Sequence, residues 1–342
     1  RDTITTQVTS WSLPVADFNA NKTSGCAPSD ISFTDLSTGD YARTGWAWTF
    51  GDGGTATNRN PVHNYSSDGT YTVGLIVTDE HGCRDTLNRV DYIQLAPPVA
   101  DFTVDDADGC PGHTANFMDF STADTSLNSW FWDFGDGNTS TQRNPSHTYQ
   151  TPGTYTVTLT VGDVESCEDV RVRTDLITIY QPPSAGISPV DAAGCMPFTV
   201  DFADASVAGD GGLASWSWDF GNGNNATAFD PPAEVYPTAG IYAVRLTVVD
   251  ANGCRDTANT QVTSWSRPVA DFNANRRTGC APTDISFTDL SSGDYARTAW
   301  AWTFGDGGTS TNRNPVYNYA NDATFSVRLL VTDEHGGRGA LN

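Results

Sequence analysis

A repeated motif restricts the fold of this 342-residue chain more than any other feature of its sequence. Trp, one variable residue, Phe and then Gly-Asp-Gly or Gly-Asn-Gly occur four times, beginning at Trp48, Trp132, Trp218 and Trp302. In addition, residues 255–342 align with residues 1–88 at 67 identical positions out of 88. A repeat of this kind predicts four modules of about 85 residues each.

Apolar residues alternate with polar ones inside each copy, which is the pattern of a strand with one buried face. The first copy shows this in two runs, Trp46, Trp48 and Phe50, then Tyr71, Val73, Leu75 and Val77. The chain also contains 32 Gly and 18 Pro, and these residues separate the short apolar runs. An all-β fold made of β-sandwiches is therefore expected.

The acidic position of the repeated motif has two interpretations. Its residues are Asp52, Asp136, Asn222 and Asp306. A carboxylate there would suit a metal ligand or a general base, whereas Asp-Gly and Asn-Gly both suit a tight turn. Because Asn222 cannot act as a general base, the sequence favours a structural turn over a catalytic site.

Residues 130–161, "WFWDFGDGNTSTQRNPSHTYQTPGTYTVTLTV", resemble the PKD (polycystic-kidney-disease) domain. The matching positions are Trp132, Asn144, Pro145, His147, Tyr149, Gly153, Tyr155, Val157 and Leu159. All four copies fit the pattern, with departures at Asn222, at "DPPAEVY" in the third copy and at Ala323–Phe325 in the fourth. The resemblance implies an immunoglobulin-like β-sandwich for each copy, and hence a tandem array of four.

The copies and their proline-containing junctions define the expected domains, which are residues 14–95, 96–181, 182–267 and 268–342. Pro fixes φ and favours extended backbone, so short and stiff linkers are predicted. Residues 1–13 match residues 255–267 and are interpreted as the last strand of a preceding module. By the same alignment, the fourth domain is expected to lack its last strand.

Seven cysteines recur at two positions of the repeat. One follows Gly near the start of each copy, and the first three copies carry a second one 57, 57 and 59 residues later. This spacing predicts three disulfides within domains: Cys26–Cys83, Cys110–Cys167 and Cys195–Cys254. The fourth copy has Gly337 at the second position, so Cys280 is expected to be unpaired. Disulfides place the chain in an oxidising compartment.

Charge and motifs exclude several functions. A formal charge of −23 repels phosphate backbones, which excludes nucleic acid as a partner. No apolar run reaches the 18 or so residues that span a membrane. The five histidines form no repeated site, and no hydrolase, zincin or P-loop motif is present. A non-catalytic protein without a cofactor is therefore expected.

Two weaker signals concern surface chemistry. The acidic loop with Asp105, Asp106 and Asp108 is a calcium candidate, although the other copies do not repeat it and a solvated loop is the alternative. Asp-Thr-apolar triplets at Thr3, Thr86 and Thr257 resemble an O-glycosylation signal of Bacteroidota. The alternative for each of them is an ordinary strand threonine.

The PKD resemblance implies a class of use, an extracellular, non-catalytic structural or adhesive array. Near-identical arrays of this kind are similar to the giant surface adhesins of Bacteroidota, including those of gliding cells. The expected function is a stiff rod in a long cell-surface adhesin or filament. Its partners would be neighbouring repeats or like subunits, and surface glycans or other surface proteins.

Two alternatives stay open. The array can instead be a spacer in a giant secreted hydrolase. It can also be a filament subunit in which residues 1–13 of one copy complete the fourth domain of the next by donor-strand exchange. The simpler explanation of the two cut modules is that the chain continues in both directions and supplies every strand itself.

Overall fold

The computed structural model describes residues 3–341, so Arg1, Asp2 and Asn342 lie outside the described residues. The Asp of the first Asp-Thr triplet and the outermost residues of the first and last expected segments fall there. Every regular element of residues 3–341 is a strand, and we number the strands β1–β32 in chain order. The prediction of an all-β fold is confirmed. Within this range there is no helix that is long and apolar enough to cross a membrane.

Residues up to Ile179 form one compact unit, which holds two sandwiches. The first has sheets in the orders β1-β3-β6 and β2-β8-β7-β4-β5, and the second in the orders β14-β11-β9 and β10-β16-β15-β12-β13. The strands of the first are β1 Phe18–Ala20, β2 Ser24–Gly25, β3 Ser29–Asp35, β4 Arg43–Thr49, β5 Thr55–Ala56, β6 Val62–Tyr65, β7 Gly69–Asp79 and β8 Arg84–Leu95. Those of the second are β9 Phe102–Val104, β10 Asp108–Gly109, β11 His113–Asp119, β12 Leu127–Asp133, β13 Thr139–Ser140, β14 Ser146–Tyr149, β15 Gly153–Asp163 and β16 Glu168–Ile179.

Residues from Tyr180 onward form a second compact unit with two further sandwiches. Its five-stranded sheet has the order β18-β25-β24-β21-β22, and the corresponding sheet of the last sandwich has four strands, β29-β28-β31-β32. The third sandwich contains β17 Ile187–Ser188, β18 Ala192–Cys195, β19 Phe198–Val200, β20 Ala203–Asp204, β21 Leu213–Asp219, β22 Asn225–Ala226, β23 Glu234–Tyr236, β24 Gly240–Asp250 and β25 Arg255–Trp265. The fourth contains β26 Phe272–Ala274, β27 Thr283–Asp289, β28 Arg297–Thr303, β29 Thr309–Ser310, β30 Val316–Tyr319, β31 Arg328–Asp333 and β32 Arg338–Leu341.

Each sandwich has its own core around the Trp that opens the repeated motif. Trp48, Trp132, Trp218 and Trp302 are at most 1% exposed. A buried indole N–H needs an acceptor. In each sandwich it donates to a backbone carbonyl ten residues later, for example from Trp132 to Gln142 at 2.9 Å. The same bond thus anchors the segment that follows each motif.

The motif itself turns the chain at the end of the Trp strand. In the second sandwich Gly135 and Gly137 have φ of 81° and 92°, which L residues with a side chain rarely adopt. The buried Tyr149 hydroxyl donates to the Phe134 carbonyl at 3.1 Å. Equivalent Tyr–Phe bonds close the corner in the other three sandwiches.

The fourth sandwich is open along one edge. In the first sandwich, β8 pairs with the whole of β7, from Thr78 down to Gly69. In the fourth, β31 has only six residues, of which β32 pairs with Leu329–Thr332, and residues 323–327 form no strand. The expectation that this domain lacks its last strand is therefore corrected, because the four residues of β32 match the first four of β8, Arg84–Leu87.

Residues 3–13 form no strand, although their sequence repeats that of β25. Ile4 and Val8 are 92% and 89% exposed, and Trp11 is the first residue of the segment that packs against other rings. The segment has no neighbouring strand to accept its ladder hydrogen bonds, so alternation of apolar residues alone does not order it as a strand.

The buried corner bond yields a stability prediction. Tyr149→Phe removes the hydroxyl and leaves the Phe134 carbonyl buried without its donor, which costs about 1–2 kcal/mol. Scanning calorimetry should show the transition of the second sandwich lowered by several degrees. Tyr155→Phe is the matched control, since its hydroxyl bonds to the Thr151 carbonyl at an exposed place. Equal effects of the two substitutions would contradict the role of the corner.

Candidate functional site

The repeated Asp lies in a hydrogen-bonded corner and faces one side chain of the neighbouring strand. Asp52 accepts the Gly54 N–H at 2.8 Å and contacts the His63 Nε2 at 2.7 Å. Asp136 makes the same contact with His147, also at 2.7 Å. Burial opposes the ionisation of Asp136, but the hydrogen bonds from His147 and Asn138 outweigh it and lower the pKa of this carboxyl.

The chemistry of this pair changes between copies while its hydrogen bond is kept. In the third sandwich the Asn222 amide donates to Glu234 at 2.7 Å, so donor and acceptor have exchanged sides. In the fourth, the Tyr317 hydroxyl donates to Asp306 at 2.9 Å. Proton transfer would need the same titratable groups in every copy, whereas a turn needs only one donor and one acceptor. The geometry therefore indicates that these residues have a structural role, which is to hold the turn by a hydrogen bond.

The two cysteine positions of a sandwich lie at opposite ends of its long hairpin. In the first sandwich, we call the end at Gly69 and Leu95 the lower end and the turn between Asp79 and Arg84 the upper end. Gly25, next to Cys26, pairs with Leu95 at the end of β8, where Gly69 also pairs. Cys83 precedes the Thr78–Arg84 pair at the other end, nine strand positions away. At about 3.3 Å per residue this separation is roughly 30 Å. A disulfide needs Cα atoms within about 7 Å of each other.

The predicted disulfide pairing is therefore wrong. Cys26 of the first sandwich is bonded to Cys167 of the second, with a Cα–Cα distance of 5.8 Å. This bond excludes both Cys26–Cys83 and Cys110–Cys167. Cys195 is a free cysteine, which excludes Cys195–Cys254, while Cys110 and Cys254 both have partners. Equal spacing along the chain shows only that the two cysteines recur at the same two positions of the repeat. The strand pairing places these two positions at opposite ends of the sandwich.

The junction in the second unit has the same arrangement without the bond. The Cys195 thiol lies at the lower end of the third sandwich and contacts the His335 carbonyl of the fourth at 3.5 Å. A Cβ placed on Gly337 would lie 3.0 Å from the Cys195 Sγ. An S–S bond of about 2 Å sets a similar distance, about 3 Å, between a Cβ and the far sulfur. Gly337 thus occupies the place of the second cysteine.

Aromatic rings lie at the junction of the second unit and at the equivalent turn of the first sandwich. In the second unit the Trp265 ring of the third sandwich lies on His335 of the fourth, with centroids 3.9 Å apart. In the first unit Trp11 stacks on His81 at 3.8 Å, and Tyr41 completes the group. Trp265 is thus a contact between the third and fourth sandwiches. Trp11 makes the equivalent contact with the first sandwich.

A carboxylate that was not predicted from the sequence ties the linker to its own domain in the first three sandwiches. Asp85 accepts the Ala16 N–H at 2.8 Å, and Asp169 and Asp256 make the same bond in the next two sandwiches. In the fourth sandwich Gly339 stands at this position. The signal was available, because this Asp follows the second cysteine by two residues in all three copies.

The acidic loop of the second sandwich does not gather its carboxylates around a cation site. Asp105 is used within the protein, where it accepts the backbone and side-chain N–H groups of Asn116 at 2.8 and 2.6 Å. Among residues 3–341, no three Asp, Glu, His or Cys side chains converge closely enough to hold a metal ion. The calcium hypothesis for Asp105, Asp106 and Asp108 therefore has no geometric support.

The three threonines of the glycosylation hypothesis differ in environment. Thr3 and Thr86 are exposed. Thr257 is half-buried, and its hydroxyl lies 3.1 Å from that of Thr247. Modification of Thr3 and Thr86 stays a prediction, and Thr257 has less room for it.

Comparison with known proteins identifies the family. The PKD domain profile matches residues 11–95, 95–179, 181–264 and 265–342. The chain belongs to the PKD domain family.

Several relatives are much longer than this chain. Human polycystin-1 is 24% identical over 325 residues, which are 83% of this chain and 7% of that protein. The pre-pro-metalloprotease PrtV of Vibrio cholerae is 30% identical over 145 residues, 42% of this chain and 15% of that protein. The solved PKD1 domain of PrtV is 34% identical and covers 25% of this chain and 98% of its own, with a TM-score of 0.22.

In the Asp–His corner, a second substitution should restore the stability that the first one removes. His147→Glu places a second carboxylate against Asp136 and should destabilise the second sandwich by about 1–2 kcal/mol. Adding Asp136→Asn recreates the Asn–Glu pair of the third sandwich and should restore most of the stability. Urea unfolding of the two single variants and the double variant measures this coupling. Purely additive effects would contradict it.

Lowering the pH should change the stability of the parent protein and that of His147→Glu in opposite directions. Since the folded pKa of Asp136 is lowered, its ionised form stabilises the native protein above about pH 3.9, and this contribution is lost as the pH falls further. In His147→Glu, protonation removes the repulsion instead. The difference in stability between the two proteins should therefore shrink as the pH falls below about 4.

The geometry of the junction in the second unit predicts that a disulfide can be introduced there by a single substitution. Gly337→Cys should form a disulfide with Cys195, because the backbone already presents this position correctly. Thiol titration of the native protein should fall from the three free cysteines of the parent to two. The control, Cys195→Ser combined with Gly337→Cys, should show three. A count of four in the single variant would contradict the alignment of the junction.

Proposed function

We propose that this chain is a non-catalytic, extracellular structural array that carries tension as part of a long cell-surface adhesin or filament. The observation that carries the proposal is the Cys26–Cys167 bond, which crosses from one sandwich to the next. A disulfide inside a domain stabilises that domain alone. One that joins neighbouring domains keeps them together when the chain is pulled, even if a sandwich between the bonded residues unfolds.

Further features support an extracellular, structural role. Persistent disulfides require an oxidising compartment. The large negative charge keeps such an array soluble and repels other acidic surfaces. The repeated polar corner keeps a hydrogen bond rather than a reactive group, which favours a non-catalytic protein. Surface glycans or other surface proteins are the partners that fit an adhesive array.

A spacer in a secreted hydrolase is a second candidate. The similarity to a Vibrio cholerae protein named as a metalloprotease supports it, although that similarity spans only 42% of this chain. In such a protein the sandwiches would separate a catalytic domain from its anchoring or binding domain. The tension-bearing bond between sandwiches favours the adhesin or filament over this alternative.

Self-assembly by strand exchange is a third candidate, and a groove in the fourth sandwich favours it. A cavity of about 730 Å³ opens beside Phe272, Ile285 and Phe325. In the first sandwich, Phe18 and Ile31 occupy the places of Phe272 and Ile285 and are fully buried. In the fourth sandwich both side chains are partly exposed, because no strand covers them.

Residues 3–13 have the side chains that fit this groove. Val262 is buried in the third sandwich and pairs with Tyr242. The repeat places Val8 at the position of Val262 and Phe325 at that of Tyr242. Since Val8 is 89% exposed, its insertion into the fourth sandwich of a second copy would bury apolar surface on both sides.

Single-molecule stretching tests the tension-bearing role. The chain is pulled from both ends, first oxidised and then after reduction. The Cys26–Cys167 bond shields 141 residues of sequence, so reduction should lengthen the fully extended protein by roughly 450–500 Å. Cys195→Ser should extend like the parent, since its thiol is free. Equal extension with and without reductant would contradict the proposal.

A matched pair of variants tests assembly by residues 3–13. Val8→Asp should abolish concentration-dependent assembly in light scattering, because the carboxylate would enter an apolar groove. Gln7→Asp is the control, since its counterpart Gln261 is exposed in the third sandwich. Assembly that survives Val8→Asp, or a parent chain that stays monomeric, would contradict the strand exchange.

A further inference from the structure

We infer that Asp163 protects the Cys26–Cys167 bond against reduction by small thiols. Its carboxylate is held beside Cys167, the cysteine that must leave as a thiolate when the more accessible end of the bond is attacked. Asp163 acts through its charge on this cysteine and is in that sense a positioning residue. The inference goes beyond the tension-bearing role, because it concerns how long the bond survives rather than what load it carries.

The turn of the second sandwich holds the Asp163 carboxylate in place. Asp163 ends β15 and is only 3% exposed. One carboxylate oxygen accepts the backbone N–H groups of Glu165 and Cys167, both at 2.9 Å, and the other accepts the Thr125 hydroxyl at 2.6 Å. Burial opposes the ionisation of Asp163, but these hydrogen bonds outweigh it and lower the pKa of this carboxyl. The turn therefore fixes a negative charge next to Cys167.

The equivalent turn of the fourth sandwich shows where this charge lies relative to the sulfur of the neighbouring sandwich. Asp333 accepts the Gly337 N–H at 2.8 Å, as Asp163 accepts that of Cys167. A Cβ placed on Gly337 would lie 2.6 Å from the second Asp333 oxygen and 3.0 Å from the Cys195 sulfur. The carboxylate and the sulfur are therefore within about 6 Å of each other, a range in which a charge shifts the pKa of a neighbouring group.

The free Cys195 thiol shows the consequence of this arrangement. Burial raises the pKa of the thiol, the Asp333 charge raises it further, and Arg267 acts in the opposite direction. Cys167 stands at the position of Gly337, with its Cβ against the equivalent carboxylate. Its thiolate is therefore disfavoured by burial and by a like charge in the same way.

The two sulfurs of the Cys26–Cys167 bond differ in access and in surroundings. Cys26 is half-buried and Cys167 is 1% exposed, so an incoming thiol reaches the Cys26 sulfur more easily. Attack there expels Cys167 as a thiolate beside Asp163. Attack at Cys167 would expel Cys26 near a cation, since the Lys22 Nζ lies 3.8 Å from a Cβ placed on Gly25, but the Cys167 sulfur is buried. Both routes are therefore slow, for different reasons.

Reduction by glutathione takes two exchange steps. A glutathione thiolate attacks the Cys26 sulfur, the bond to Cys167 breaks, and Cys167 leaves as a thiolate that takes up a proton. A second glutathione thiolate attacks the glutathione sulfur of the mixed disulfide and releases Cys26. Two electrons pass to the protein, and the two glutathione molecules leave as oxidised glutathione. Because a thiol of higher pKa leaves more slowly, Asp163 acts on the first step.

Timed reduction of the full chain measures this effect. Samples are blocked with N-ethylmaleimide and mapped by mass spectrometry for Cys26 and Cys167. Asp163→Asn keeps an acceptor oxygen in the turn but removes the charge. Glutathione should reduce the bond in this variant roughly three to ten times faster than in the parent. In both proteins the first mixed disulfide should lie on Cys26.

The charge of the reductant separates loss of the carboxylate from loosening of the turn. Asp163→Asn should accelerate reduction by glutathione, an anionic thiol, more than reduction by cysteamine, a cationic one. Thr125→Val removes a hydrogen bond from the turn and leaves the charge, so it should change both rates alike. Asp79→Asn removes the same charge from the turn of the first sandwich, which does not hold this bond, and should react like the parent.

Several outcomes would overturn the inference. They are equal reduction rates of Asp163→Asn and the parent, an acceleration that is the same with both thiols, and a first mixed disulfide on Cys167. Each of these would leave the tension-bearing role intact, since the bond itself would still be present. A parent chain that maps without the Cys26–Cys167 bond would overturn both.

Discussion

The length of one hairpin governs how these sandwiches are joined. Its two long strands, β7 and β8 in the first copy, run from one end of the sandwich to the other. The Gly-Cys corner pairs at the lower end and the second cysteine lies at the upper turn. Because a single sandwich cannot bring these ends together, its cysteines face outward to the neighbours. The Cys26–Cys167 bond is the direct consequence.

The fourth sandwich shows what the lower half of this hairpin contributes to the fold. Where the lower half of its last strand has no counterpart, the facing segment 323–327 loses its pairing as well. The core residues Phe272 and Ile285 then become partly exposed, and a groove opens. Strand pairing and core burial are therefore lost together. One inserted strand with an apolar residue at the right register would restore both.

The sequence predicted the features that depend on local chemistry. Alternation identified the strands, and Asn222 in place of Asp showed that the motif needs a turn rather than a base. The disulfide partners could not be found in this way. A separation of 57 residues says nothing about which end of a sandwich each cysteine occupies, and this depends on the strand pairing. The linker bond of Asp85 was also missed, because the repeated spacing of this Asp after the second cysteine does not show which backbone N–H it accepts.

The central claim is that the second cysteine of a sandwich bonds to the Gly-Cys corner of a neighbouring sandwich. Non-reducing peptide mapping of the natively oxidised protein, with thiols blocked before digestion, tests it most directly. The account predicts a peptide pair joined through Cys26 and Cys167, with Cys83, Cys195 and Cys280 blocked as free thiols in the monomer. A peptide pair joined through Cys26 and Cys83 would contradict it.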